Sequence, residues 1–345
     1  MRYRVVQWGA GRNGAALIRA IARHPDLELA GCKVYSADKD GVDAGILAGI
    51  APLDVRATAD RQAIIDIPAD VVIHCPRLSP DMRENDRDIC DLLRAGRNVI
   101  SVSGAHSMPA AIPGYAAQFE AACRAGGSTF AAAGVNPGFI CERLAPTLTG
   151  LCVDVDRICI RETYDCSNGT PDLLFRAMGF GQPPDRWTAD SPLGAMFNHL
   201  FVQLIHNMAA TLGVGLREVR HSAQTAPAHR DIAVAGGVVA AGTVAAIGQS
   251  WEGVPLDPGQ IRLVKQTRWV IATDIPGWPP HSGWQIEIAG IPGLRADIRI
   301  DPEGDHTYEP ECMVGGAIPM IPEVVAAPPG LLMPRIFAPF RKHFA

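Results

Sequence analysis

The 345-residue chain lacks several features that would assign it to other classes of protein. Its nine cysteines include no C-x-x-C pair and no metal-finger spacing, which leaves out the usual structural zinc and dithiol redox arrangements, and no metal is expected. Cys152, Cys159 and Cys166 fall seven apart, but in a strand-rich stretch that spacing gives no common face, so they read as core residues. Lys and Arg do not cluster along the sequence and the formal charge is −5. That balance argues against nucleic acid or an anionic membrane as a partner. There is no long apolar run of the membrane kind. The nearest approach, uncharged residues 232–251, is rich in Ala and Gly and broken by Gly236-Gly237, Gly242 and Gly248. Strands joined by turns are expected there. With the first strand beginning at about residue 3, no secretory or transit segment is expected, and an odd number of buried, reduced thiols then suits the cytosol. No internal repeat or low-complexity tract stands out.

What is present is a globular composition, 48% hydrophobic and 19% charged, long enough for two domains. Its organising stretch is residues 2–17, RYRVVQWGAGRNGAAL. It reads as an apolar strand, a Gly9-Ala10-Gly11-Arg12-Asn13-Gly14 turn, and a helix opening near Asn13 with Leu17, Ile18 and Ile21 on one face. Gly9 permits a tight turn, Gly11 lets the backbone approach a diphosphate, and Gly14 lets helix and strand pack closely. Free N–H groups at the helix start then hold the anion. The expected ligand is a dinucleotide. A second strand, residues 28–35, ends at Tyr35-Ser36 with Lys39 shortly after. A hydroxyl and a cation suit the 2′-phosphate of NADP, whereas an acid there selects NAD, and Asp38 keeps NAD open.

Further strands are expected at 53–57, 71–75, 98–102 and 128–133. Helices alternate with them, one capped by Ser79 with Pro80, Asp81 and Glu84 in its first turn, another over 115–124 closing on Gly126-Gly127. This alternation predicts an α/β Rossmann domain, a doubly wound parallel sheet, over residues 1–135. Ligands bind at the carboxyl ends of such strands. The loops to inspect are therefore Cys75-Pro76-Arg77, 101–106 with Ser103, and 134–139. Asn136-Pro137-Gly138 could hold the carboxamide of a nicotinamide, with Phe139 beside the ring. Beyond this point the pattern changes. A helix is expected over 139–148, helical stretches at 173–178 and 193–212, and strand-like runs at 155–164, 218–224, 231–251, 260–273, 284–289 and 295–300. Without intervening helices these predict a second, α+β domain with a mostly antiparallel sheet, residues 136–312. Residues 313–345, rich in Pro and Gly with a helical piece over 321–326, are expected to return to the first domain.

Five motifs recur together: RYRVVQWGAGRNG at the start, AGVNPGF (133–139), RETYD (161–165), MGFGQPP (178–184) and AIPMIPEVVAAPPG (317–330). In this order, over nearly the whole length, the chain resembles the dihydrodipicolinate reductase-like proteins that include 2,4-diaminopentanoate dehydrogenase and the native amine dehydrogenases. The resemblance implies a Rossmann domain, a second domain over the nicotinamide, a homodimer, and NAD(P)-dependent hydride transfer at a C–N or C–O carbon. One departure stands out. The amine dehydrogenases carry a glutamate just after the strand reading NVIS here, as the proton-handling group, and this chain has Gly104 and Ala105 there.

The protein's task in such chemistry is to orient substrate, exclude water and manage one proton. His106, in the loop where the acid is missing, titrates near neutral pH and suits a general acid; an exposed loop histidine is the alternative. Tyr164, at the end of a strand, could donate to a developing oxyanion or be a core tyrosine. Glu162 reads as an ion-pair partner of Arg161 or Arg157. Glu142 and Glu162 are the places a relocated acid would come from. His199 and His206 share a helix face without a carboxylate, which is packing, not metal. Phe175, Met178, Phe180, Met196, Phe197 and Phe201 form an apolar set, of which Phe175 and Met178, with Phe139, are candidates for a substrate pocket. Apart from Arg77 the strand-end loops carry no cations, which disfavours a dicarboxylate substrate. The expected function is an NAD(P)-dependent oxidoreductase acting on a C=O or C=N carbon of a largely apolar small molecule. Reductive amination with a relocated acid, and a cofactor-binding sensor without turnover, are the alternatives.

Overall fold

A computed structural model describes residues 2–76, 83–103, 114–278, 282–301 and 308–342. The chain forms two compact units: Met1–Phe139 with Asp301–Arg335, and Ile140–Ile300 with Ile336–Ala345. The last ten residues therefore belong with the second unit, where residues 313–345 had been expected to follow the first throughout.

The first unit is built on a seven-stranded sheet in the order Gly330–Leu331, Thr129–Ala132, Asn98–Ser101, Val71–His74, Tyr3–Trp8, Leu27–Lys33 and Ala57–Thr58, with every neighbouring pair parallel. The sheet is apolar on both sides, as a parallel sheet with helices on its faces must be. On one side Val5, Val71, Ile73 and Ile100 pack with Leu17, Ile18 and Ile21 of the helix Arg12–Arg23 and with Ala317, Ile321 and Val324 near the chain's end. Each such aliphatic side chain contributes about 1.5–3 kcal/mol by leaving water. On the other side Val6, Trp8, Val72 and Val99 meet Ile89, Leu92 and Leu93 of the helix Arg83–Arg94 and Phe119 of the helix Tyr115–Gly126. The latter helix stops at Gly127, whose φ of 65° is the left-handed conformation of a helix end. The expected strand at 53–57 is only Ala57–Thr58, preceded by a single bridge from Asp43 to Arg56. A helix over Tyr308–Ala317 forms where composition suggested none. The proposed caps Ser79, Pro80 and Asp81 lie outside the described residues.

The second unit carries a six-stranded sheet in the order Leu294–Ile298, Gly283–Ile291, Asp154–Asp165, Arg262–Val270, Val244–Pro255 and Leu216–Pro227. All its pairings are antiparallel except Asp154–Asp165 with Arg262–Val270. The helix Pro192–Leu212 covers one face, with Phe197 against Trp269 at 4.7 Å and Phe201 against Trp251 at 4.6 Å between ring centres. Strand alternation sorts the residues. Leu263, Lys265, Thr267 and Trp269 are buried, whereas Arg262, Val264, Gln266 and Arg268 take the opposite face and keep some exposure. The run expected at 231–251 resolves into a hairpin, Ile232–Val234 with Gly237–Val239, and the long strand Val244–Pro255. The expected helix over 139–148 begins earlier, as a wide π-type turn over Val135–Leu144, and continues in Ala145–Leu148. Among the described residues no helix is long and apolar enough to cross a membrane.

Candidate active site

At the carboxyl end of the first sheet, a cleft of about 570 Å³ is lined by Gly9, Ala10, Gly11, Arg12, Asn13, Gly14, Val34, Tyr35, Ser36, Lys39, Cys75 and Pro76. Ten of these were singled out from the sequence. The three glycines differ in what forces them. Gly9 has φ +100°, and a Cβ there would sit 2.3 Å from the Cys75 carbonyl oxygen. A Cβ on Gly14 would lie 1.9 Å from the Gly9 oxygen. Gly11 is different. It is the residue before the helix, in an extended conformation that any residue adopts, and a Cβ on it meets no atom of the described residues within 4 Å. The protein itself therefore imposes no need for glycine at Gly11, which faces open space in the cleft. This is what a backbone kept bare for a diphosphate requires. Among the described residues no side chain caps the helix start, so its first N–H groups are available to an anion. The residues present thus fit a dinucleotide.

The rim is held by a small network. Gln7 Nε2 donates to the Gly9 carbonyl at 2.9 Å, and Lys39 Nζ donates to the Ala10 carbonyl at 3.2 Å. The Trp8 indole donates to the Tyr35 phenol oxygen at 3.0 Å, and the ammonium of Lys33 lies 4.4 Å from the centre of the Tyr35 ring. Burial pushes the Tyr35 phenol up to about 12 and the Cys75 thiol up to about 11, so both are neutral at physiological pH and neither is a nucleophile. Of the residues competing for the ribose position, Ser36 and Lys39 line the cleft and Asp38 is not among its described lining.

Ser103 is buried beyond the strand Asn98–Ser101, and its hydroxyl is 3.1 Å from that of Ser101, itself 3.4 Å from His74 Nδ1. His74 and Ser101 end neighbouring strands; Ser101 opens one of the loops named from the sequence, whereas His74 was overlooked because it sits in an otherwise apolar run, and a polar residue at the carboxyl end of a parallel strand was the available signal. Asn136, Pro137 and Gly138 follow the strand Thr129–Ala132 in the same unit, Asn136 extended and Pro137 buried. Phe139 is half exposed. His106 and Arg77 lie outside the described residues.

In the second unit Tyr164 ends its strand in register with Trp269 and is partly exposed. Phe175 and Met178 pack on the core around Leu174, Phe180 and Ile247. Met178 also lines a cavity of about 20 Å³ with Trp187, Phe197 and Trp269, room for about one water and not for a substrate. Glu162 does not pair with Arg161 or Arg157. Successive residues of a strand point to opposite faces, and its carboxylate instead meets Lys265 Nζ at 3.0 Å. Lys265 is fully buried, 5.2 Å from the Phe201 ring centre. Glu142 is buried and accepts from Asn207 Nδ2 at 2.9 Å. Both carboxylates are thus engaged by side chains of their own unit, which weakens the relocated-acid alternative. Cys152 is partly exposed, unlike Cys159 and Cys166, and all nine cysteines are free thiols.

Comparison with known proteins agrees with this geometry. The family model for the dihydrodipicolinate reductase N-terminus matches residues 3–77, and that for the 2,4-diaminopentanoate dehydrogenase C-terminal domain matches 139–338. An amine dehydrogenase of Streptomyces virginiae is 29% identical over 94% of this chain and 93% of its own length. Among solved structures, the amine dehydrogenase from Mycobacterium smegmatis superposes with a TM-score of 0.73 at 18% identity, covering 98% of this chain and 97% of that one. GenD2 from gentamicin A biosynthesis, solved in complex with NAD, gives 0.54 at 14% identity, covering 94% and 85%. A glycine turn lining an open cleft among the described residues, on this fold and among these relatives, defines an NAD(P)-dependent oxidoreductase. The chain belongs to the dihydrodipicolinate reductase-like family whose second half is the 2,4-diaminopentanoate dehydrogenase C-terminal domain.

Proposed function

We propose that the protein is an NADPH-preferring enzyme that reduces a C=O or C=N carbon of a largely apolar small molecule. The observation carrying the cofactor choice is the lining of the cleft beyond the glycine turn: Arg12, Ser36 and Lys39 surround it, and Asp38 is not among its lining. A guanidinium, a hydroxyl and an ammonium complement a 2′-phosphate, whereas a carboxylate would repel it. When bound, the nicotinamide supplies the hydride. The chain's own residues hold the diphosphate at the helix start, position the carboxamide through Asn136, and deliver a proton from His106 or Tyr164. Lys39→Ala is expected to reduce the NADPH-over-NADH preference about tenfold, about 1.4 kcal/mol, in a fluorescence titration. An unchanged preference would remove Lys39 from the ribose site.

The reaction is tested by nicotinamide absorbance with ketones, aldehydes and imines, with and without ammonia. Ketone reduction that needs no ammonia supports the proposal; turnover only with ammonia would establish reductive amination instead, the activity in the name of the Streptomyces virginiae relative. His106→Ala should lower turnover about tenfold or more while sparing NADPH affinity, as loss of a general acid does. Wild-type rates in that variant would leave Tyr164, tested as Tyr164→Phe, as the donor. We also infer a homodimer, as the family resemblance implies, working in the cytosol; sedimentation velocity and cell fractionation check the two.

A further inference from the structure

The second unit's sheet turns one face toward the helix Pro192–Leu212; the opposite face collects cations. Arg161 and Thr163 from one strand, Arg268 from the next, Gln285 from a third, and Arg295, Asp297 and Arg299 at the sheet's edge line a cleft of about 380 Å³. The chain carries a net charge of −5, yet this cleft sets four guanidiniums against one lining carboxylate. The acids are already engaged. Asp297 accepts from Arg295 Nε at 3.0 Å and from Gln285 Nε2 at 2.8 Å. Glu287, on the Gln285 strand, stands 3.8 Å from Arg161. Arg161 itself is fixed by two neutral acceptors, the amide oxygens of Gln266, at 3.0 Å, and Gln285. Arg268 and Arg299 have no hydrogen bond or ion pair to an acid among the described residues. Burial, and then the neighbouring charge of Arg161, lower the pKa of Arg268, the mark of a guanidinium in surroundings that lack an anion.

We propose that this cleft binds a small polyanion, through its phosphate or carboxylate groups, held by Arg161, Arg268 and Arg299. Guanidinium forks match both groups with paired hydrogen bonds. The volume fits a compact metabolite; a handful of charges in one pocket, with no extended basic track, does not fit a nucleic-acid strand. Nothing in the cleft belongs to the nucleotide site, whose cations are Arg12 and Lys39 in the other unit.

The full-length protein is titrated calorimetrically at low salt with inorganic pyrophosphate and, separately, with citrate. Binding of either supports the proposal, and which one binds more tightly assigns the phosphate or carboxylate class. Affinity should fall about tenfold or more in Arg268→Gln and in Arg299→Gln, and survive in Arg12→Gln, where an anion seated on the glycine turn would be lost. The two variants alter partly exposed positions, and unchanged thermal transitions would show that they fold. Three results overturn the proposal: equal affinity in wild type and both cleft variants, affinity that disappears only in Arg12→Gln, or no uptake of either probe while Arg268→Gln dissociates an oligomer. The last would make this face a contact between two copies.

Discussion

Gly11→Ala is expected to fold as the wild type does and to lose NADPH binding about a hundredfold, or about 2.8 kcal/mol. The added methyl would meet no atom of the described residues within 4 Å and the backbone there is extended, so stability should stay within about 0.5 kcal/mol. What the methyl obstructs is the approach of a diphosphate to the backbone. Gly14→Ala should behave in the opposite way. Its methyl would lie 1.9 Å from the Gly9 oxygen, so the helix Arg12–Arg23 must move off the strand, at a cost of about 1–3 kcal/mol or more. Gly9→Ala adds a positive φ to a 2.3 Å approach to Cys75, with a comparable loss. Thermal melting with and without NADPH separates the cases. Wild-type NADPH affinity in Gly11→Ala would mean that no ligand passes over that residue, and the dinucleotide reading of the cleft would fail with it.

Lys265→Met should destabilise the protein by about 3–5 kcal/mol, as removal of one partner from a buried ion pair does. Lys265 has no exposed surface and Glu162 keeps only 12% of its side chain in contact with solvent. Methionine would refill the space beside Phe201 but leave the Glu162 carboxylate facing an apolar side chain. Replacing both, as Lys265→Met with Glu162→Leu, should regain most of the loss. Denaturant unfolding reads both steps. A loss below about 1 kcal/mol in the single variant would mean that water reaches the pair, as at an exposed ion pair.

These two sites also mark how far the sequence could be read. Residues 2–17 contain strand, turn and helix contiguously, so local rules were enough to single out Gly9, Gly11, Arg12, Asn13 and Gly14, which line one cleft together with Tyr35, Ser36, Lys39, Cys75 and Pro76 from the ends of neighbouring strands, and the alternation of strands and helices pointed to the parallel sheet. Contacts set by register across strands were out of reach. Glu162 was assigned to arginines adjacent in sequence because strand alternation was not applied; its true partner is 103 residues away on a neighbouring strand. The arginines of the second cleft are scattered from Arg161 to Arg299, so a chain with no cationic cluster in one dimension has one in three. Phe175 and Met178 belong to an apolar set that reads mostly as core with some pocket candidates, since apolar type alone does not distinguish the two, and both pack partly buried against the core. The helix Tyr308–Ala317 was hidden by Pro310, Gly315 and Gly316, residues whose low helical propensity is outweighed where Ala317 and its neighbours bury against the first unit's sheet.

The first sheet draws one of its edge strands, Gly330–Leu331, from beyond Ile140–Ile300, the main stretch of the second unit. During synthesis the ribosome therefore releases most of one unit, then all of Ile140–Ile300, before the segment that finishes the first has emerged. At about 5–20 residues per second the strand Thr129–Ala132 waits roughly 10–40 s for its edge partner, with the surface later covered by Ile321 and Val324 still open to water. A nascent chain stalled near residue 300 is thus the form most in need of a chaperone, because the unit begun by residues 1–139 is finished only by residues 301–335.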